Sequence, residues 1–271
     1  MAAIVIKFGL IAGNGVFPIE VARAVRRRGM SVIAVAHRNE TPDELEQIAD
    51  AVTWIKVGEL ERMVETFKNA GVQQAAMAGG ISRAHLADSF APDARAMAML
   101  SRLGRFSDDA VLRGVAAEIE SEGIEVIDPV PMLENVLASA GSLAGPAPSP
   151  AQLRDLETAF RVLDALGSFD IGQTVAVRDG VVGAIEAVEG TDAALRRAAT
   201  LMGKGLVVAK AAKRAQDLRF DRPAIGPATI DLLGEIGASM IGVEADKTMI
   251  LEREDTLKRA DHLGVTLYGY A

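Results

Sequence analysis

Five short apolar runs, at residues 5–12, 32–36, 54–57, 75–78 and 124–127, alternate with amphipathic segments at 17–28, 42–49, 60–69, 92–103 and 108–120. This alternation restricts the fold more than any other feature of the chain. Strands joined through helices by short loops must lie parallel, because a parallel neighbour is reached only by a crossover. Right-handed crossovers wind such a sheet with helices on both faces. The first half, 1–138, is therefore predicted to be a doubly wound, Rossmann-like α/β domain with ligands at the carboxyl ends of its strands. Local chemistry marks two helix starts, Thr41 with Glu44 as a capping box and Ser107 as the N-cap before Asp108.

Residues 139–150 read Ser-Ala-Gly-Ser-Leu-Ala-Gly-Pro-Ala-Pro-Ser-Pro. So small and uncharged a stretch predicts a semi-rigid linker over 139–152, about which the two halves would move. Beyond it the pattern changes. A helix at 150–166 precedes a hairpin signal, 174–177 and 181–187 around Asp179-Gly180. A helix at 191–202, a strand at 206–209, a helix after Pro227, two short strands around Asp246 and Lys247, a helix from Glu254 and a strand at 265–268 complete a mixed α/β catalytic domain over 153–271.

Composition narrows the function. An excess of 37 acidic over 29 basic residues argues against nucleic acid as partner, since phosphate-backbone binding needs a basic face. The absence of cysteine removes disulfides, thiolate catalysis and cysteine-ligated zinc. No apolar stretch has the ~20 residues of a membrane span, and the N-terminus has no signal-peptide pattern. A cytoplasmic protein is expected.

The chemistry concentrates in the polar run that follows the apolar 206–209. It holds Lys210, Lys213, Gln216, Asp217, Arg219 and Asp221 ahead of a Gly226-Pro227 turn with Ala228 and Thr229. Cations, carboxylates and an amide packed this densely suit a site that grips a polyanion through metal and cations. In the first half, Gly13, Asn14 and Gly15 lie between strand and helix, where backbone N–H groups favour phosphate; a packing turn is the bland alternative. This is half a dinucleotide fingerprint, and the second strand ends in His37-Arg38-Asn39 without the ribose-binding acid, so a different nucleotide is expected. Gly80, Ser82 and Arg83 leave the fourth strand in the same way, and Asp109 either favours a helix start or binds ligand. Arg23, Arg26, Arg27 and Arg28 form a solvated helix face or touch acidic lipid headgroups, and His37, His85 and His262 lack metal-ligand spacing. Glu186, Glu189, Gly190, Thr191 and Asp192 end a strand and start a helix, capped by Thr191 or Asp192. Magnesium needs only one or two carboxylates, so Glu186, Glu189, Asp217 and Asp221 over-supply it.

Taken in order, Gly-Leu-Ile-Ala-Gly-Asn-Gly-x-Phe-Pro from Gly9, Gly79-Gly80, Ser107-Asp108-Asp109, Glu189-Gly190-Thr191-Asp192, Lys210 with Lys213, Gln216-Asp217-x-Arg219-Phe-Asp221-x-Pro223 and Ala238-Ser-Met-Ile-Gly242-Val-Glu244-Ala resemble the LpxI-type UDP-2,3-diacylglucosamine pyrophosphatases across nearly the whole chain. The resemblance implies magnesium-dependent hydrolysis of UDP-2,3-diacylglucosamine to UMP and 2,3-diacylglucosamine 1-phosphate (lipid X), a step of lipid A biosynthesis. It implies a hydrolase peripheral on the cytoplasmic membrane face, with the lipid substrate held between two domains, and leaves a homodimer open. Carried over residue by residue, Lys213, Asp217 and Asp221 become catalytic. Gly13, Asn14, Gly15, Gly80, Asp109, Glu189, Gly190, Thr191, Asp192, Lys210, Gln216, Arg219 and Thr229 become substrate-binding; Ser82 and Arg83 as further substrate contacts, and Glu186 with Asp221 as metal ligands, are read from the residues themselves.

One position departs from the pattern, for the family has Asp after Gly-Pro where this chain has Ala228. A methyl group cannot ligate metal, orient water or accept a proton, so the resemblance implies a chain inactivated in catalysis that still binds substrate. Two other classes remain open: a non-catalytic nucleotide or lipid sensor, and a nicotinamide-dependent oxidoreductase lacking its usual ribose-binding acid.

Overall fold

The computed structural model describes residues 5–82, 90–104, 107–167, 169, 171–214 and 216–271. The chain divides into two compact units, one of residues 1–134 with 217–221, the other of 135–216 with 222–271.

The first unit carries β1 (Lys7–Ala12), α1 (Phe17–Arg27), β2 (Ser31–His37), β3 (Ala51–Ile55), α2 (Leu60–Ala70), β4 (Gln74–Ala78), α3 (Ala94–Ser101), α4 (Asp108–Glu120) and β5 (Glu125–Val126). Its strands lie all parallel in the order β3-β2-β1-β4-β5, the doubly wound arrangement expected from the alternation. Apolar clusters cover both faces. Phe8, Leu10, Ile19, Val25 and Ala34 pack on one side, and Ile11, Val35, Phe67, Met77 and Ile119 on the other. Strands buried on both faces read as continuous apolar runs, which is why they were visible as such. Order reverses between β1 and β4, so the exit loops of these two strands open side by side.

The second unit contains β6 (Gly141–Ala144), α5 (Pro150–Gly167), β7 (Thr174–Arg178), β8 (Val181–Ile185), α6 (Thr191–Met202), β9 (Val207–Lys210), β10 (Ala224–Ile225), α7 (Pro227–Glu235), β11 (Met240–Glu244), β12 (Met249–Ile250), α8 (Arg253–Leu263) and β13 (Thr266–Tyr270). Its six-stranded mixed sheet runs β6-β13-β11-β9-β7-β8, with β13, β11 and β9 parallel and β10 paired to β12 apart from it.

Two expectations change. The linker at 139–152 is not a free tether: β6 pairs antiparallel with β13, and α5 begins at Pro150. Packing explains part of its composition, since a Cβ on Gly145 would meet the Val265 carbonyl oxygen at 2.2 Å, and on the facing strand a Cβ on Gly269 would meet the Ser139 carbonyl oxygen at 1.8 Å. Between the two compact units the chain passes after Glu134, and Asp217–Asp221 is grouped with the first unit. Thr41 and Glu44 form no capping box. A 3-10 turn, Asp43–Gln47, starts there without a side-chain cap, and the Thr41 hydroxyl donates to the Ala12 carbonyl at 2.6 Å. Ser107 does cap α4, accepting from the Ala110 N–H at 3.4 Å.

Because the obstacle at Gly269 is main chain and cannot rotate away, Gly269→Ala should destabilise the second unit by about 2 kcal/mol or more. A lowered denaturant midpoint is the expected reading; an unchanged midpoint would mean that β6 yields at no cost.

Candidate functional site

The expected site residues fall into three groups. At the switch point of the first sheet the Gly13 N–H donates to the Ala78 carbonyl and the Asn14 N–H to the Gly80 carbonyl, both at 2.8 Å. Glycine is required by contact here: a Cβ on Gly13 would come within 2.3 Å of the Gly80 oxygen, and one on Gly79 within 2.3 Å of the Asn14 oxygen. Gly15 differs, with a φ of 78° and open space around it, as a turn exposed before a helix demands. The Asn14 side chain accepts from the Gly80 N–H at 3.3 Å and donates to Glu40 Oε2 at 3.0 Å, while Glu40 Oε1 accepts from the Ser82 N–H at 3.0 Å. Glu40 is a residue the sequence reading missed. It stands three positions beyond β2, just past the segment searched for a ribose-binding acid. His37, buried at the end of β2, faces the Ala12 carbonyl through Nδ1 at 2.9 Å, and burial holds its pKa below the ordinary value, so the ring is neutral at pH 7. Arg83 and His85 lie outside the described residues.

A second group docks the 217–221 segment onto α4. The Asp217 N–H donates to Asp109 Oδ1 at 3.1 Å, and Asp109 Oδ2 accepts from Arg113 Nε at 2.7 Å. Arg219 forks onto the Asp217 carboxylate, with Nη2 at 2.9 Å, and donates to Glu120 Oε1 and the Val126 carbonyl at 3.1 Å each. Its guanidinium lies 4.5 Å from the ring centroid of Phe220, which packs on the Phe67–Ile119 cluster. Burial raises the Asp217 pKa, but hydrogen bonds from the Arg219 side chain and N–H and the charges of Arg219 and Arg113 outweigh it, leaving the carboxyl below the usual range. The Asp221 N–H closes the turn on the Asp217 carbonyl at 3.2 Å. Asp109, Asp217 and Arg219 thus have internal partners that account for much of their polarity.

The third group lies in the second unit. Lys210, at the end of β9, donates to Thr191 Oγ1 at 3.1 Å, and Thr191 donates to Glu186 Oε1 at 3.0 Å. The N-cap of α6 is Gly190, with no side-chain cap, so neither Thr191 nor Asp192 caps the helix as expected. Glu189 instead pairs with Arg197 at 2.6 Å, and Asp192 is exposed. The Lys213 N–H donates to Gln216 Oε1 at 2.9 Å. Ala228 is exposed in the first turn of α7, and the Thr229 hydroxyl accepts from the Gly226 N–H at 3.4 Å. Glu244, at the end of β11, accepts from the Ala212 N–H at 3.1 Å and the Lys247 ammonium at 2.7 Å, supporting the start of the polar run.

The arginines of α1 serve structure more than a lipid-facing surface. Arg23 pairs with Glu44, Arg26 with Asp50, and Arg28 bonds the Met132 carbonyl. Among the described residues no group of three or more His, Cys, Asp or Glu could hold a metal ion. Both Glu186 oxygens accept hydrogen bonds, from Thr191 and from the Gln173 N–H at 3.2 Å. These donors do not fit a protein-caged ion.

Two α/β units, one doubly wound with main-chain glycine contacts at its switch point, define a two-domain α/β protein with polar groups at its strand ends. The chain belongs to the LpxI family: residues 7–136 match the LpxI N-terminal domain and 139–268 the LpxI C-terminal domain. The UDP-2,3-diacylglucosamine pyrophosphatase LpxI of Caulobacter vibrioides is 34% identical over 274 residues, covering 97% of each chain. Two solved structures to which the chain is similar are remote. The complete pyruvate carboxylase of Rhizobium etli, 14% identical, covers 64% of this chain and 14% of its own at a TM-score of 0.27. The biotin carboxylase domain of Hydrogenobacter thermophilus 2-oxoglutarate carboxylase, 16% identical, covers 73% and 42% at 0.30. Neither score supports a shared fold.

Arg219→Ala should speed amide exchange across 217–221 by about tenfold, the scale of losing one charge-assisted hydrogen-bonded pair, while β1 amides stay unchanged. Because the folded pKa of Asp217 lies below its unfolded one, its contribution is fully present above the unfolded value and lost as pH falls through the folded one. Protection of 217–221 should therefore be flat from neutral to mildly acidic pH and fall only below the usual carboxylate range. Loss already near neutrality would show that another group governs docking.

Proposed function

We propose that this chain recognises UDP-2,3-diacylglucosamine, and that the chemistry of its site is hydrolysis of the pyrophosphate to UMP and 2,3-diacylglucosamine 1-phosphate, a step of lipid A biosynthesis. The observation that carries this reading is identity to a named UDP-2,3-diacylglucosamine pyrophosphatase over 97% of both chains, with both family domains in order. In this reading water adds to one phosphorus and the bridging oxygen leaves with the other. The anion repels an incoming water oxygen, so the site must offset charge and hold the reactants in line. Lys210 and Lys213 are the cations assigned to the pyrophosphate, Gln216 holds the Lys213 backbone, and Asp221 orients water. Magnesium, which the family resemblance implies, would supply further positive charge against the pyrophosphate. No helix among the described residues is long and apolar enough to cross a membrane. We infer reversible contact with the cytoplasmic membrane face, where a diacylated substrate resides.

Ala228 favours a second reading of this chain, a binder that does not turn over. Residue 228 is exposed in the first turn of α7, where the positive end of the helix would keep a carboxylate ionised. With a methyl there, the nucleotide and acyl contacts remain while the acid is missing. The purified chain should carry intact substrate or bind it uncleaved. Ala228→Asp should raise UMP release by at least ~100-fold, and Lys213→Ala or Asp221→Ala in that background should lower it by about the same factor. Equal rates for the unaltered chain and Ala228→Asp would show that position 228 is not catalytic. No hydrolysis by either, with magnesium present, would sink the assignment of activity.

A further inference from the structure

The Thr191 hydroxyl has one proton to give and two lone pairs to fill. It donates to Glu186 Oε1 at 3.0 Å and accepts from Lys210 Nζ at 3.1 Å, and the Thr174 hydroxyl, on a residue 2% exposed, stands 3.4 Å from its remaining lone pair. Helix capping does not explain this hydroxyl, because the N-cap of α6 is Gly190. Nor is Glu186 loosely held. Its N–H donates to the Thr174 carbonyl at 2.9 Å and its second oxygen accepts from the Gln173 N–H. A close main-chain approach fixes the same corner, since a Cβ on Gly172 would fall 2.1 Å from the Glu186 carbonyl oxygen. Lys210 and Thr174 are register partners on β9 and β7.

We propose that Thr191 is a positioning residue, whose hydroxyl links the anchored Glu186 carboxylate to the Lys210 ammonium and so holds that cation ready for the second phosphate of a nucleoside diphosphate. This rests on the reading that Lys210 faces the pyrophosphate. Glu186 is then the far anchor of the cation rather than a metal ligand, and Thr191 has no bonding capacity left for substrate. A lysine stem loses rotamer freedom when its ammonium is fixed. Fixing it before ligand arrives removes that cost from binding.

Thr191→Val keeps the shape and removes the hydroxyl; Thr191→Ser keeps the hydroxyl. Two measurements on the full chain test the role, with melting temperatures checked for all variants. In competitive acetylation by an N-hydroxysuccinimide ester, read by mass spectrometry, Lys210 should react at least ~3-fold faster in Thr191→Val relative to Lys258, whose side chain is 75% exposed in the fold. In calorimetric titration, Thr191→Val should weaken UDP by about tenfold and UMP by less than about twofold, with Thr191→Ser restoring both, the scale of one hydrogen bond to a charged group. Unchanged Lys210 labelling overturns the positioning role whatever the ligand. Faster labelling with unchanged UDP affinity keeps the link but overturns its use for phosphate, and with it the assignment of the pyrophosphate to Lys210. A starting chain that binds neither UDP nor UMP sinks the nucleotide reading, while the labelling still decides the role of Thr191.

Discussion

Main chain meets main chain where β1 and β4 end, and much of the first unit is arranged around that contact. No side chain fits at Gly13 or Gly79, because the obstacles are the carbonyl oxygens of Gly80 and Asn14. A rotamer change cannot relieve a clash with backbone. The two loops are consequently cross-hydrogen-bonded to each other, and Asn14 can reach both the Gly80 N–H and Glu40. Glycines at a strand-to-helix turn are commonly read as room for a phosphate. Here Gly13 and Gly79 are required before any ligand arrives, whereas Gly15, with space around it, and Gly80, where a Cβ would come no closer than 3.6 Å to Asn14 Oδ1, retain that reading.

The same distinction applies to the polar run after β9. Its density of charge was legible in the sequence; its partition was not. Asp217 and Arg219 satisfy each other and α4, and Phe220 supplies the apolar contact that keeps the segment on the first unit. Lys210 is tied to residues nineteen and twenty-four positions upstream, Thr191 and Glu186, a pairing made by the sheet rather than by spacing. A chain excursion of five residues into another unit leaves no periodic trace, since a turn has neither the helical nor the strand repeat.

What was legible follows from physics that is local. Strands buried on both faces and helices with one apolar stripe announce themselves within a window of a dozen residues, and the parallel order of β1 to β5 follows from their alternation. Residues 139–150 defeated the same approach. Small residues are common to tethers and to segments packed tightly against a neighbouring backbone, and Gly145, where a Cβ would meet the Val265 carbonyl oxygen at 2.2 Å, belongs to the second kind. Thr41 and Thr191 fail as caps for a related reason. A hydroxyl beside a helix start is equally suited to a distant partner, and each found one, the Ala12 carbonyl for Thr41 and the Lys210 ammonium for Thr191.

A net charge of −8 sets the last constraint. Long-range steering would turn away a nucleoside diphosphate, but screening over about 8 Å at physiological ionic strength confines that penalty to charges near the ligand. Most arginines near the described site residues are already matched to acids: Arg113 to Asp109, Arg219 to Asp217 and Glu120, Arg197 to Glu189, and Arg214 to Asp164. Each such pair has largely spent its field. Lys210 reaches the Glu186 carboxylate through a hydroxyl, and a cation spaced in this way from that acid keeps more of its field directed outward than a direct pair with it would. In an acidic protein that must attract an anion, the spacing of a cation from its own carboxylate therefore matters as much as the number of cations.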